Sequence, residues 1–447
     1  MTGPTEATGE LKRTIGRGDL ALLVIGSVIG SGIFLVPGGV LTQSQGSVGW
    51  AMVAWLFGGI LSLLGALTYG ELGAMQPHAG GVYLYIRDAF GRLPAFLYGW
   101  VIFFCICAGT VATLAVASSA YLEQFIPLGS VGRKLVSLLI IGSIALLNAR
   151  GTRISVTALN WGTAIKVAAL VFLIVVLPFS SNGLSQVDPW FPDDFGLPLL
   201  SGVGLAMISV LWAYEGWQYP TFVSGEVKDP QRNLPWGLAV GTLALVAIYV
   251  LANVAYLAAL GPSGVAASQR VAAEAVGAAF GPTAARLIAI PIIISMVSAA
   301  HSVILTMPRA YFAMARDGVF FSKLGEVHPR FGTPAFAIVA GASVAALLSM
   351  IGGFNQLLSY VVFVGWMFYG LAGASIFVFR KTRADWPRPF RVPGYPFTPF
   401  LFVLSAAAIV LNALFTQPVM QTVLGVGVVA SGIPAYFLWR STRKARS

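Results

Sequence analysis

Gly26-Ser27-Val28-Ile29-Gly30-Ser31-Gly32-Ile33-Phe34 sets three glycines inside the first long apolar stretch, where a membrane-spanning helix should run unbroken. Backbone polar groups in hydrocarbon must be satisfied, so such a helix opens only where protein or a water-lined cavity receives the freed groups. Glycine also costs up to ~1 kcal/mol against alanine in a helix interior. Far down the chain, Trp212-Ala213-Tyr214-Glu215-Gly216-Trp217 is a second candidate interruption, again deep in an apolar segment. Paired interruptions in two halves of a polytopic chain mark a ligand site near the membrane midplane.

Composition places the chain in the membrane. Of its 447 residues 57% are hydrophobic and 10% charged, against about 25% charged in soluble domains. The formal charge of +11 is a topology signal and not a nucleic-acid footprint. Of 27 Lys and Arg, only Arg133, Lys134, Arg270 and Arg286 fall on one side, and only Lys166 lies within a span. The rest share the termini and alternate loops of the other side, which orients both termini to the cytoplasm. Met1–Leu20 is polar and carries no secretory-signal pattern, so the first span is expected to act as the insertion signal. Cys105 and Cys107, two apart in an apolar helix, do not face each other and read as packing residues. No disulfide framework, metal site or cofactor is expected.

Runs of about 20 apolar residues predict spans over 19–43, 49–72, 94–122, 132–149, 154–178, 197–223, 236–260, 284–308, 333–351, 357–379, 398–416 and 418–439. The predicted fold is an all-α polytopic membrane protein of twelve transmembrane helices. Spans one to five and six to ten form a 5+5 inverted repeat with helices 1 and 6 broken, and two extra helices follow. The layout is a tail over 1–18, a transport core over 19–380, a cytoplasmic proline-rich loop over 381–397, the last two spans over 398–439 and a basic tail over 440–447. The longest outward loops run over 180–196, with Asp188, Asp193 and Asp194, and over 261–283. Trp386–Pro396 is too proline-rich for helix and is expected to be an extended connector.

A broken first helix exposes unpaired N–H groups and the positive dipole end of its outer half. Amides at Gly30, Ser31 and Gly32, with the Ser31 hydroxyl, can hold a carboxylate. Freed carbonyls near Val28, Trp212 and Glu215 face them with partial negative charge suited to an ammonium. An anion hole beside a cation hole suits an α-amino acid. The competing reading is that the glycines only let helices pack closely.

Lys166 sits 13 residues beyond Arg153 on the fifth span, roughly 20 Å deep at 1.5 Å per residue. A lysine at a helix centre costs on the order of 2.5–3.5 kcal/mol and marks an ion or proton pathway. It is a proton acceptor, a fixed cation where a sodium ion would otherwise sit, or a bridge between helices through groups such as Ser295 or Ser298. Glu215 recognises a cationic side chain, relays a proton, or caps a half-helix beginning near Trp217. Glu71 reads as an interface or loop anchor, and His301 as a hydrogen-bonded packing residue or a titrating group. Trp212 and Tyr214 close over a bound side chain or fill core. No P-loop, metal-spaced His/Cys cluster or Ser-His-Asp arrangement suggests an enzyme.

The chain resembles the amino acid–polyamine–organocation superfamily, most closely the L-type amino acid transporter branch and its bacterial exchangers. The resemblance rests on Gly26–Phe34, Tyr69–Gly91, Leu211–Leu234, Ala315–Gly318 and Arg388–Pro396, and covers most of the chain. It implies alternating access on a 5+5 repeat, with Ser31 and Gly32 on the substrate carboxylate and the carbonyls of Val28, Trp212 and Glu215 on its amine. It further implies Trp212 as the aromatic gate, Gln218 in the side-chain pocket, and Lys166 with Ser295 replacing a sodium site. Glu215 departs from the glycine of animal members. Glu123–Arg133 lacks the cysteine that joins those members to a glycoprotein, so no disulfide-linked heavy chain is expected.

The expected function is sodium-independent exchange of neutral amino acids across the plasma (inner) membrane. The alternatives are a proton-coupled symporter accepting cationic amino acids and, from another class, an amino acid sensor that moves nothing.

Overall fold

A chain in hydrocarbon must bond its backbone to itself, and helices do so within one segment. The computed structural model describes residues 11–180, 183–192, 196–351, 354–416 and 419–444. Residues 1–10, Asp193, Asp194 and 445–447 lie outside the described residues, as do the side chains of 440–447. The described residues are helical apart from turns, loops and one isolated bridge between Ile15 and Val227.

The first broken segment comprises α1 (Arg17–Val28), α2 (Gly32–Leu35) and α3 (Pro37–Gln43). After α4 (Val48–Met75) and the short α5 (Val82–Phe90), α6 (Arg92–Val101) joins α7 (Cys107–Leu122) through a π turn. Next come α8 (Gly129–Ala149) and α9 (Thr152–Val176). The helix α10 (Leu197–Ala213) leads through a turn into a 3₁₀ segment at Tyr219–Glu226. Beyond it lie α11 (Pro230–Ala267), α12 (Val271–Phe280), α13 (Pro282–Leu287), α14 (Ala289–Thr306) and α15 (Pro308–Arg316). The chain ends with α16 (Ala335–Ile351), α17 (Phe354–Thr382), α18 (Phe397–Thr416) and α19 (Val419–Lys444).

Counted as runs across their kinks, 10 helices among the described residues are long and apolar enough to cross a membrane. The helices α10 and α16, of 17 residues each, are also apolar. The outward faces carry bare aliphatic and aromatic side chains: Leu139 is 72% exposed, Ile351 83% and Phe415 86%. Water would penalise such a surface and lipid does not. The molecule is a polytopic all-helical membrane protein.

Three local expectations need correction. The stretch 261–283 is mostly helical, because Gly261 (φ +67°) lets the chain turn before α12. Beyond the second break the chain winds as a 3₁₀ turn and not as an α half-helix, the Tyr219 and Thr221 N–H groups bonding three residues back to Gly216 O and Gln218 O at 3.1 and 3.0 Å. The proline-rich loop passes through bends and a turn and is pinned along its length. Arg388 donates to the carbonyls of Phe379, Arg383, Ala384 and Trp386, and the Val392 N–H reaches Glu71 Oε2 at 2.7 Å. Glu71 also takes two bonds from Arg380, at 3.0 and 2.7 Å, and so anchors the loop.

Small residues set the helix spacing. A Cβ at Gly237 or Gly241 of α11 would lie 2.8 Å from Leu20 Cβ or 2.6 Å from Val24 Cβ of α1, so this small-xxx-small pair seats the α11 backbone directly against α1 side chains. Two turns are twinned. Phe90-Gly91 and Phe280-Gly281 each end a short helix and open a long kinked one, with φ of +94° and +84° at the glycines.

One end of the bundle is locked by a buried ion pair. Arg309 Nε lies 2.7 Å from Glu226 Oε1, with the two side chains 0% and 1% exposed. Thr152 Oγ1 donates to Glu226 Oε2 at 2.7 Å and accepts from Arg309 Nη2 at 3.1 Å. The Arg309 guanidinium also donates to the Leu305 carbonyl. The Glu226 carbonyl accepts the N–H groups of Thr14 and Ile15 at 2.8 and 2.9 Å, which ties the N-terminal segment over the pair. Nearby, Tyr83 and Arg87 of α5 both bond Asp317 after α15. Burial and then the Asp317 charge push the Tyr83 hydroxyl above its ordinary range. Breaking a buried pair strands one charge, at about 3–5 kcal/mol. Glu226→Gln should therefore lower the unfolding midpoint of the detergent-solubilised protein substantially, and Glu226→Leu with Arg309→Met should recover part of the loss. An unchanged midpoint in Glu226→Gln would remove the lock from the account.

Candidate functional site

The first break leaves the carbonyls at the end of α1 without helical donors, and side chains replace them. Lys166 Nζ donates to Gly26 O and Ile29 O, both at 2.7 Å, and lies 3.5 Å from Ser295 O. Ser295 Oγ stands 3.1 Å from Ile29 O and 3.2 Å from Gly30 O, donating to one at a time. Tyr249 Oη is 3.0 Å from Val28 O and 3.0 Å from Ala213 O, so one hydroxyl spans both breaks. Ser27 Oγ bonds Ser302 Oγ on α14. The fully buried Lys166 thus works as a bridge between α9, the open backbone of α1 and α14.

The two interruptions meet backbone to backbone. A Cβ on Gly32 would lie 2.5 Å from Ala213 Cα, and one on Gly216 would lie 3.0 Å from Ser27 Cβ. Gly216 has φ +118°, a conformation that a residue with a side chain avoids. Both glycines are needed for this approach.

Where the breaks face each other lies a cavity of about 20 Å³, walled by Ser31, Gly32, Thr110, Trp212, Glu215 and Ala299 among others. That space holds little more than a water molecule. Among the described residues no acceptor meets the N–H groups of Gly30, Ser31 and Gly32. The Trp212 indole N–H lies 3.3 Å from Ser31 Oγ and lids the cavity. Gly30 and Val28 also line it.

Glu215 is not a cap. Its Oε1 accepts from Gln218 Nε2 at 2.8 Å, Tyr219 Oη at 3.2 Å and Tyr369 Oη at 2.6 Å, all side-chain donors. Gln218 is buried behind Glu215 and outside the cavity wall. Tyr214 packs away from the cavity, its ring 5.0 Å from Tyr249 and 6.2 Å from Trp55. Ser298 and His301 are buried on α14, and among the described residues Ser298 Oγ and His301 Nε2 have no hydrogen-bond partner. Cys105 and Cys107 are buried and free.

Sequence reasoning missed Thr110, Leu114, Tyr219 and Ala299 in the wall, and Tyr249 and Tyr369 behind it. Tyr219, four residues after Glu215, had a local signal. The others come from helices whose rotation no spacing rule reveals.

Residues 15–435 match the amino acid permease family model. The chain is 31% identical to the large neutral amino acids transporter small subunit 2 of Mus musculus over 96% of its length and 81% of that protein. It is 31% identical to the serine/threonine exchanger of Bacillus subtilis (strain 168), over 97% of its length and 98% of that protein. It is 30% identical to the b(0,+)-type amino acid transporter 1 of Mus musculus, covering 97% of this chain and 89% of that one. A match over nearly the whole chain, on an all-helical membrane fold with two facing helix breaks, places this protein in the amino acid permease family.

Proposed function

We propose that the chain carries amino acids across the plasma (inner) membrane by sodium-independent alternating access, mainly as an exchanger of neutral L-amino acids. Twelve spans, a 5+5 inverted repeat and cytoplasmic termini complete the reading. The observation that carries it is the cavity between the two breaks, with the free amides of Ser31 and Gly32 on its wall beside the backbone of Val28, Trp212 and Glu215. The twin Phe-Gly turns at Gly91 and Gly281 support the repeat, since each opens the third helix of its half. In this reading the amides hold the substrate carboxylate and the carbonyls its ammonium. An amino acid needs several times the space present, so Trp212 withdraws from Ser31 to admit it and returns to close the site. The substrate links both broken helices and stabilises the state in which they rock together. No disulfide-linked partner is part of the proposal.

Lys166 and Ser295 occupy the place where a sodium ion would meet the α1 carbonyls, and do the ion's structural work without it. Each buried carbonyl left without a donor costs roughly 1–3 kcal/mol. Lys166→Met should therefore cut uptake at least roughly tenfold, with the protein still inserted and monodisperse. Sodium replacement should leave the unaltered protein's uptake unchanged. Gly32→Leu collides with Ala213 and should abolish uptake; full-rate transport by that variant would sink the site assignment.

Glu215 favours a second substrate reading. Its three donors all converge on one oxygen, while Glu215 is also a residue of the cavity wall. A carboxylate so placed accepts from a hydroxyl or cationic substrate side chain, with or without proton coupling. Reconstitution in sodium-free liposomes separates the readings. Exchange predicts labelled alanine, serine or leucine uptake only with internal amino acid, whereas uptake into empty vesicles along a pH gradient selects proton symport. Glu215→Gln should spare leucine and lower arginine transport by roughly tenfold or more if the charge reads cations. Equal effects on both substrates would limit Glu215 to holding Tyr369 and Tyr219.

A further inference from the structure

A hydroxyl buried on a helix commonly bonds back to its own backbone. On α7, Thr113, Ser118 and Ser119 do so, donating to Gly109 O, Leu114 O and Val116 O at 2.7, 2.7 and 2.8 Å. Thr110 breaks this pattern. Its Oγ1 is buried, and no group among the described residues meets it in hydrogen-bond geometry. The residue is 5% exposed and belongs to the wall of the cavity between the two breaks. A buried hydroxyl without a partner calls for an occupant that supplies one. The space beside it holds about one water molecule, which a substrate group of the same hydrogen-bonding capacity replaces without loss.

The neighbouring wall residue defines that group. The Tyr219 hydroxyl lies close to Thr110 and gives its own proton to Glu215 Oε1 at 3.2 Å, so it presents only lone pairs. Thr110 keeps a proton to donate. A hydroxyl placed between them accepts from Thr110 and donates to Tyr219. An ammonium has no lone pair for the Thr110 proton, and a carboxylate has no proton for Tyr219. A methyl group leaves both unpaired. The Ser27 hydroxyl, also in the wall, is engaged by Leu23 O and Ser302 Oγ and offers no competing pair.

Leu114 sets the distance. Its Cδ2 would lie 3.3 Å from a Cβ on Gly30, so α7 packs against the first break at this residue. Thr110 precedes it by four residues, about 6 Å along the helix axis. With the substrate carboxylate on the Ser31 and Gly32 amides, a hydroxyl on the β-carbon spans that interval, whereas a leucine side chain fills it with carbon.

We propose that this site selects amino acids bearing a β-hydroxyl, the serine and threonine class, with Thr110 donating to the substrate hydroxyl and Tyr219 accepting from it. The assignment rests on the reading of the cavity as the amino acid site. A site built to bond a hydroxyl rejects the analogue that lacks it, here by roughly tenfold or more.

Isothermal titration calorimetry of the purified full-length protein with L-serine and its isostere L-2-aminobutyrate tests this independently of transport. Serine should bind roughly tenfold or more tightly. Thr110→Val should bring the two affinities together by weakening serine, and Thr110→Ser should keep the preference. Thr113→Val removes a hydroxyl already bonded to its own helix and should also keep it. Equal affinities in the unaltered protein overturn the assignment, as does a preference that survives Thr110→Val, since Thr110 would then act only in packing. Binding of neither ligand overturns the amino acid site itself and this assignment with it. A serine preference without amino acid counterflow in liposomes overturns exchange alone and upholds the role of Thr110.

Discussion

Opening a helix inside a membrane frees carbonyls that hydrocarbon cannot satisfy. Everything at the centre of this molecule follows from how that demand is met. The end of α1 releases the carbonyls of Gly26, Val28, Ile29 and Gly30, and each is answered from another helix: Lys166 on α9, Ser295 on α14 and Tyr249 on α11. A break that would be a defect in isolation becomes a junction of four helices. The carbonyls are held by donors on one side, which leaves the amides of Ser31 and Gly32 facing the cavity. The donors of the break are therefore left open toward the cavity, which Val28, Trp212 and Glu215 also line.

The second break cooperates by shape more than by bonds. Gly32 against Ala213 and Gly216 against Ser27 bring two backbones closer than any side chain would allow. The site is thus built from main chain, whose donors and acceptors stay in place whatever the substrate's side chain. In the proposed mechanism, selectivity falls to the few residues in the wall that present side chains, Thr110, Trp212 and Glu215 among the candidates. Main-chain recognition of the common zwitterion, as proposed, would suit a family whose relatives bear different substrate names.

Around this centre the fold places polar anchors at helix ends. Glu226 with Arg309, Glu71 with Arg380 and Asp317 with Arg87 each join segments far apart in sequence. Two of the three acids are fully buried, where a lone charge is expensive and a paired one dictates which ends meet. Such clusters hold one arrangement of the ends firmly. A rocking motion has to exchange them for another set or carry them along as rigid units.

The sequence by itself determined the membrane character, the helix content and both break positions. Apolar run length, charge asymmetry and misplaced glycines are local and each has a direct physical cost. It also singled out Lys166, because a cation at that depth needs a reason. The twin Phe-Gly turns were present in the sequence too, although their meaning emerged only once each was seen to open a kinked helix. Tertiary structure alone decided what Lys166 touches, that Tyr369 of α17 joins the nearby Gln218 and Tyr219 side chains on Glu215, and that Tyr214 and Gln218 stand behind the cavity while Thr110 and Ala299 line it. The reason is rotational. In lipid nearly every face of a helix is apolar, so the periodicity that orients a helix in a soluble protein is weak, and packing against neighbours sets which residue points inward.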